Sequence, residues 1–227
     1  TLAILQAGLR DRAAYFSSLA TDPNDLFALS DSNEMLALEV VGRIESAMLP
    51  WQMAEKDSWT VGDLRRQHLP DEQLTRLGFD LSEFADVEAR TVECSRAVIH
   101  GDLHGENVLV VDGTRPVLVD FAYTEASPGV LDPVTLEMSF LFHPSSPVVR
   151  DARAVRYNRW GEGDYLPDSR QRQLLERCRE WALTSRSSSE FYAASYAHAI
   201  RHLKRTDTVP PDRALAVARS AALGLLE

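Results

Sequence analysis

The chain has almost no lysine. Of its 24 Lys and Arg side chains, only Lys56 and Lys204 are lysines, so a site that needs a lysine has two positions to draw on. Cysteine is nearly absent too. Cys94 and Cys178 stand far apart with no Cys-x-x-Cys spacing, which excludes a thiol metal knuckle and predicts two buried, reduced thiols. No run approaches the roughly 18 apolar residues of a membrane-spanning helix. Thr1-Leu2-Ala3-Ile4 lacks the basic start and cleavage site of a secretory leader, so the expected compartment is cytoplasmic. No Gly-x-Gly-x-x-Gly occurs. A net charge of −10 argues against a nucleic-acid surface, and no nucleic-acid or membrane partner is expected.

What remains is 44% hydrophobic over 227 residues, enough to bury a real core. Leu5, Leu9, Ala13, Phe16 and Leu19 recur at helical steps. Asn33 to Leu49 repeats the pattern through Met35, Leu38, Val41, Ile44 and Met48. Thr60 and Ser82 read as N-caps, Thr60 with Asp63 three residues on, and a helix is expected from Ser82 to Arg96. The character then changes. Ala97–Ile99, Asn107–Val111 and Pro116–Phe121 are short apolar runs, and Asp112-Gly113 between the last two signals a hairpin. A loop at 124–129 leads to Asp132-Pro133, expected to cap and start a helix. Further helices are expected at 169–183, 188–203 and 211–226. The fold class is therefore mainly α with a small β-hairpin region (α+β), in one domain. Residues 1–96 would be a helical lead-in, 97–123 the strands and loops, and 130–227 the closing helices.

The stretch from His100 to Asn107, His-Gly-Asp-Leu-His-Gly-Glu-Asn, with Val119-Asp120-Phe121 after the hairpin, concentrates the chemistry. Asp102 follows a strand and can face a cleft. Asn107 offers a carbonyl oxygen from the far side of the same loop. The hairpin returns the chain so that Asp120 can approach Asn107. Two carboxylates and a carboxamide of this kind can hold a divalent cation and a triphosphate and take a proton from a hydroxyl.

This pattern resembles the catalytic and metal-binding loops of the protein-kinase-like superfamily, closest to its aminoglycoside phosphotransferase and choline kinase branch. The resemblance covers about Ile99 to Phe142. It implies the large helical lobe of a kinase-like fold, with Asp102 as catalytic base and Asn107 and Asp120 as ligands of Mg²⁺ carried with ATP or GTP. His100 and Asp132 would support the loop, and the partners would be a nucleotide and a hydroxyl acceptor. Phe121 is followed by Ala122 where Gly is usual, and Leu136-Glu137 replaces a common Asp-Leu. That ending also resembles bacterial kinase-like domains called ternary-complex-associated, so a non-catalytic interaction module stays open.

The same residues admit other readings. Gly101-Asp102-Leu103-His104-Gly105 resembles the first block of two-metal phosphoesterases, and residues 163–168 echo the second, but no Gly-Asn-His block follows. His100, Asp102 and His104 could chelate zinc if they alternated along a strand. As ordinary structural residues, His104 would hydrogen-bond within its loop and Glu106 would be solvated. His68, His143, His198 and His202 would be structural or at the surface, and Phe191, Tyr192 and Tyr196 would belong to the core.

The small β-rich lobe of kinase-like enzymes is not evident, and no nucleotide-clamping lysine is found. Lys56 lies in a polar segment that does not read as an apolar strand. The chain does not start with Met, so the expectation is an upstream small lobe or a partner protein that completes the site. The 227 residues alone are expected to be inactive and to bind nucleotide weakly.

Overall fold

A computed structural model describes residues 24–151, 155–162, 164–184 and 186–226. The helix expected around residues 5–19 lies outside them. In chain order the elements are β1 (Asn24–Asp25), α1 (Leu26–Ser32), α2 (Glu34–Met48), β2 (Gln52–Thr60), α3 (Val61–His68), α4 (Asp71–Arg76), α5 (Ala85–Glu88) and β3 (Thr91–Ile99). Then come β4 (Val108–Val111), β5 (Arg115–Leu118), β6 (Glu125–Pro128), α6 (Leu131–Phe142), α7 (Pro147–Arg150), α8 (Arg172–Leu183), α9 (Ser188–Arg201) and α10 (Pro211–Leu226). Two antiparallel three-stranded sheets, ordered β1-β4-β5 and β2-β3-β6, sit among the helices. This is the mainly α, small-sheet α+β class that the sequence predicts, and no large β-rich lobe occurs among the described residues.

Local chemistry accounts for several boundaries. The Thr60 hydroxyl accepts from the Asp63 backbone N–H at 3.0 Å, and the same hydroxyl donates to the Asp63 carboxylate at 2.7 Å. Thr60 thus N-caps α3 while its hydroxyl is held by the Asp63 carboxylate. Between β4 and β5 the backbone turns through positive φ at Asp112 (52°) and Gly113 (83°), the conformation that makes such residues hairpin-formers.

The expected helix from Ser82 to Arg96 is corrected. Helix ends at Glu88, and Thr91–Ile99 is the central strand of its sheet. Val92, Cys94, Ala97 and Ile99 point inward. The period-2 alternation slips by one near Ser95, where the β2–β3 register is also irregular. That slip makes the segment look helical when read as letters. The lead-in is likewise not all helix, since the polar segment around Lys56 is strand β2. Charged residues suit it because it is an edge strand, paired on one side only. The expected loop at 124–129 contains strand β6, whose Pro128 is tolerated at the opposite edge. Cys94 and Cys178 are buried and unpaired, as expected.

Helix α6 runs through the centre with all twelve residues buried. In a helix buried all round, polar side chains find partners inside the protein; at Glu137 one oxygen, Oε1, takes three donors while Oε2 has none among the described residues. Glu137 accepts from Trp160 Nε1 (2.9 Å), Tyr165 Oη (3.0 Å) and Arg179 (2.7 Å). The Arg179 guanidinium in turn lies 4.5 Å from the Trp160 ring centroid and 4.9 Å from that of Tyr165. The Glu137 that departs from the expected Asp-Leu is thus the anchor joining α6 to α8. Farther out, Arg65 of α3 is a fork between both Glu88 oxygens, each at 2.8 Å. Tyr196 of α9 donates to the same carboxylate at 2.8 Å. Phe191 and Tyr196 are core residues, with Tyr192 partly buried against them.

Removing Arg179 while keeping Glu137 leaves a buried carboxylate without its counter-charge. Arg179→Met should destabilise the fold by about 3–5 kcal/mol, read by urea unfolding, and adding Glu137→Gln should recover part of the loss. An unchanged midpoint for Arg179→Met would remove the anchor assigned to this pair.

Candidate active site

The loop after β3 is held from below by Asp132. Its Oδ2 accepts the His100 N–H at 2.7 Å and its Oδ1 the Gly101 N–H at 3.0 Å. Helix α6 starts two residues earlier than expected, with Val130 at the cap. Asp132 therefore does not cap its own helix; its carboxylate turns back to the loop. Burial pushes its pKa up, and the two N–H bonds work against that shift. Gly101 is required for the turn. Its φ is +82°, and a Cβ there would lie 2.3 Å from the Tyr123 carbonyl oxygen.

His100 is fully buried. Its Nε2 donates to the Val119 carbonyl at 2.9 Å, and its Nδ1 faces the Asp102 N–H at 3.4 Å. Both ring nitrogens are thus engaged, which removes the zinc reading of His100, Asp102 and His104. The bond to Val119 ties the loop to the end of the hairpin. A second tie runs from the Val119 N–H to the Asn107 carbonyl at 3.0 Å.

These ties set Asn107 against Asp102 and bring the chain at Val119, the residue before Asp120, to the same loop. Asn107 donates through Nδ2 to the Asp102 carbonyl at 2.9 Å, which leaves its Oδ1 available as a ligand. Asp120 follows Val119 directly, is exposed, and holds φ +62°. Asp tolerates that left-handed conformation better than most residues do. The Asp102 carboxylate is 20% exposed. Its Oδ1 accepts from Arg201 NH2 at 3.1 Å, while Oδ2 has no hydrogen-bond partner among the described residues and lies 3.8 Å from His104 Nε2. A carboxylate with one oxygen pinned and the other free can accept a proton from a hydroxyl placed against it.

Sequence reasoning missed the groups surrounding Asp102. Arg201 closes α9 and arrives from 99 residues away. His104 stacks on His143 at 5.1 Å, and His143 lies 3.7 Å from Glu106. Glu106 is exposed but not merely solvated, since it also accepts from the Ser145 hydroxyl at 2.5 Å. His198 packs against His202 at 5.3 Å and His68 at 5.8 Å. A small cavity joins Asp102, His104, His143, His198, Arg201 and His202. The histidines expected to be structural or superficial are therefore grouped around the loop, not scattered over the surface. The only sequence signal was the i, i+4 spacing of His198 and His202, which places them on one helix face. By contrast, Asp164 from the weighed phosphoesterase block pairs with Arg156 and Arg159.

A mainly α-helical chain with a loop braced in this way has a match among known families. A family model described as phosphotransferase enzyme family matches residues 37–181. The chain belongs to the phosphotransferase enzyme family. The match spans the braced loop, the hairpin, α6 and α8. Among solved structures, this phosphotransferase-family chain is similar to a glucosamine kinase (crystal form B) at 16% identity and a TM-score of 0.46. That alignment covers 92% of this chain and 60% of the other. A glucosamine kinase in complex with glucosamine, ADP and inorganic phosphate aligns at 17% identity and a TM-score of 0.45, over 89% and 58%. The chain thus spans about 60% of the length of the solved structures it matches. No curated protein matches it. No described helix is long and apolar enough to cross a membrane.

The buried histidines make stability depend on pH. Burial is the main cause that pulls His198 and His202 well below their ordinary value of 6.5, and His68 down to about 3. The unfolded chain takes these protons near pH 6.5, so below that pH it binds more protons than the folded chain. Stability should be complete above about pH 6.5 and fall as pH drops toward 3. Thermal melting between pH 7.5 and 4.5 should show this decline, and His202→Phe should flatten it. An equally steep decline in that variant would contradict the assignment.

Proposed function

We propose that this chain is the large helical lobe of a phosphotransferase that uses ATP or GTP with Mg²⁺ to phosphorylate a hydroxyl group. The observation that carries this reading is the geometry of Asp102. Its carboxylate stands on a loop braced by Asp132 and His100, one oxygen held by Arg201 and the other free. Asn107 bonds to the same loop, and the chain at Val119, next to Asp120, is tied to Asn107. In this reading Asp102 orients the acceptor hydroxyl and takes its proton as the oxygen attacks the terminal phosphorus. Asn107 Oδ1 and the Asp120 carboxylate are hard oxygen donors that fit Mg²⁺. When bound, the ion would offset charge on the phosphate oxygens. The positions of Asn107 and Asp120 follow from the backbone ties and do not need the ion to form.

The two lysines support placing the usual phosphate clamp outside these residues. Lys56 sits on edge strand β2 and lines a cavity with Arg90, Ser95 and Glu190, none of which lines the cavities next to Asp102. Lys204 ends the short helical turn after α9 and is not on a strand. In this reading a further segment or partner protein supplies the clamp, and the 227 residues alone bind nucleotide weakly.

Phosphate transfer by the full-length protein should fall about 10²–10⁴-fold in Asp102→Asn, the range for loss of a general base. Asn107→Ala and Asp120→Ala should raise the Mg²⁺ concentration needed for half-maximal rate. Undiminished transfer in Asp102→Asn would overturn the role given to that residue. No transfer to any hydroxyl acceptor by a folded full-length protein would overturn the enzyme reading in favour of an interaction module.

A further inference from the structure

A carboxylate on a rigid loop can still turn about its own side-chain bonds, and a general base works only while one oxygen faces the hydroxyl. The main chain of Asp102 is fixed. Its N–H faces His100 Nδ1 at 3.4 Å, and its carbonyl accepts from the His104 N–H and from Asn107 Nδ2, each at 2.9 Å. None of these bonds touches the carboxylate. Among the described residues, the Arg201 guanidinium is the one group that hydrogen-bonds to it, through Oδ1 at 3.1 Å. Oδ2 lies 3.8 Å from His104 Nε2, beyond hydrogen-bond distance. The loop therefore sets where Asp102 stands, and Arg201 sets how its carboxylate is turned.

Arg201 reaches Asp102 from an anchored position. It is the last residue of α9. Ala199 and Ile200 just before it are fully buried, and Tyr196 on the same helix donates to Glu88 at 2.8 Å. His202 just after it packs on Phe142 of α6, with ring centroids 4.4 Å apart. The Arg201 and Asp102 side chains are 22% and 20% exposed, so water and salt screen the pair less than an open surface pair such as Arg43–Glu39. A basic residue at a helix end can serve only to cap it, as Arg186 does by donating to the Trp181 and Ala182 carbonyls of α8. Arg201 donates to no carbonyl among the described residues, and Asp102 is its one carboxylate partner there. A guanidinium keeps its charge at any working pH. Oδ1 therefore stays engaged, and Oδ2 is the oxygen left to accept a proton.

We propose that Arg201 is a positioning residue for phosphoryl transfer: by holding Oδ1 of Asp102 it presents Oδ2 to the acceptor hydroxyl. The proposal rests on the phosphotransferase reading above. In the step it serves, the hydroxyl O–H bond breaks and its proton passes to Oδ2. The hydroxyl oxygen bonds to the terminal phosphorus of the nucleotide, and the bond from that phosphorus to its bridging oxygen breaks, leaving a nucleoside diphosphate. The guanidinium stays on Oδ1 throughout and acts through Asp102 alone. Its loss lowers the fraction of protein whose Oδ2 is correctly aimed, which acts on kcat and not on KM.

Transfer from ATP with Mg²⁺ is measured for the full-length protein, with glucosamine, glucose and water as acceptors. In Arg201→Ala, kcat should fall about 10²-fold with KM little changed. In Arg201→Lys, which restores the charge without the planar fork, it should fall about tenfold. Guanidinium chloride at millimolar concentration should recover part of the Arg201→Ala loss, and urea, its uncharged counterpart of the same shape, should not. In an Asp102→Asn background, adding Arg201→Ala should cost little more, because the two residues act as one unit. Wild-type kcat in Arg201→Ala, a change confined to KM, equal recovery with urea, or a full further loss in the Asp102→Asn background would each overturn the proposal. Should Arg201→Ala fail to fold, a wild-type kcat in folded Arg201→Lys would overturn it equally. Absent turnover by the wild type with every acceptor would show separately, as failure of the phosphotransferase reading and of this proposal with it.

Discussion

The candidate site depends on one buried carboxylate. Asp132 is almost fully buried, and ionising it there is costly unless hydrogen bonds compensate. The compensation comes from the two backbone N–H groups of His100 and Gly101, which have no strand partner at that point. Each side therefore needs the other. The loop can leave β3 and turn sharply at Gly101 because α6 supplies acceptors, and α6 can bury an aspartate because the loop supplies donors. From this pairing follow the engaged His100 ring, the tie to Val119, and the placement of Asn107 and Asp120.

The rest of the fold keeps α6 in position. Glu137, five residues beyond Asp132, is fixed by Trp160, Tyr165 and Arg179, so α8 and the segment before it pack on the same helix. Arg65, Glu88 and Tyr196 join α3, α5 and α9 in a second buried network. Through α9 that network sets where Arg201 and Lys204 end up. The Arg65–Glu88–Tyr196 set, with both Glu88 oxygens engaged, has fewer alternative arrangements than an apolar contact. This is how elements distant in sequence meet Asp102 at hydrogen-bond distance.

Much of the site was legible in the sequence, because its parts are local. Asp102, Asn107 and Asp120 lie within nineteen residues, and the intervening hairpin is encoded by Asp112-Gly113. Helices α2, α9 and α10 were legible for the same reason, since a long amphipathic period survives without tertiary information. Strand β3 was not. Its alternation slips mid-strand, and only pairing with β2 and β6 selects the extended form over a helix. Strand β2 was hidden because an edge strand needs no apolar run.

The sequence by itself determined the α+β class, the chemistry-bearing loop and the donors it could bring together, all features set by short-range spacing and turn chemistry. Only the tertiary structure decided that Asp132 reaches back to the loop instead of capping its helix. Only it placed Arg201 on Asp102, gathered His68, His143, His198 and His202 near the His100 loop, and left Lys204 and Arg205 without carboxylate partners among the described residues. The physical reason is that hydrogen bonds and charge pairs act through space over a few ångströms. Groups about a hundred residues apart become neighbours only when the helices carrying them pack.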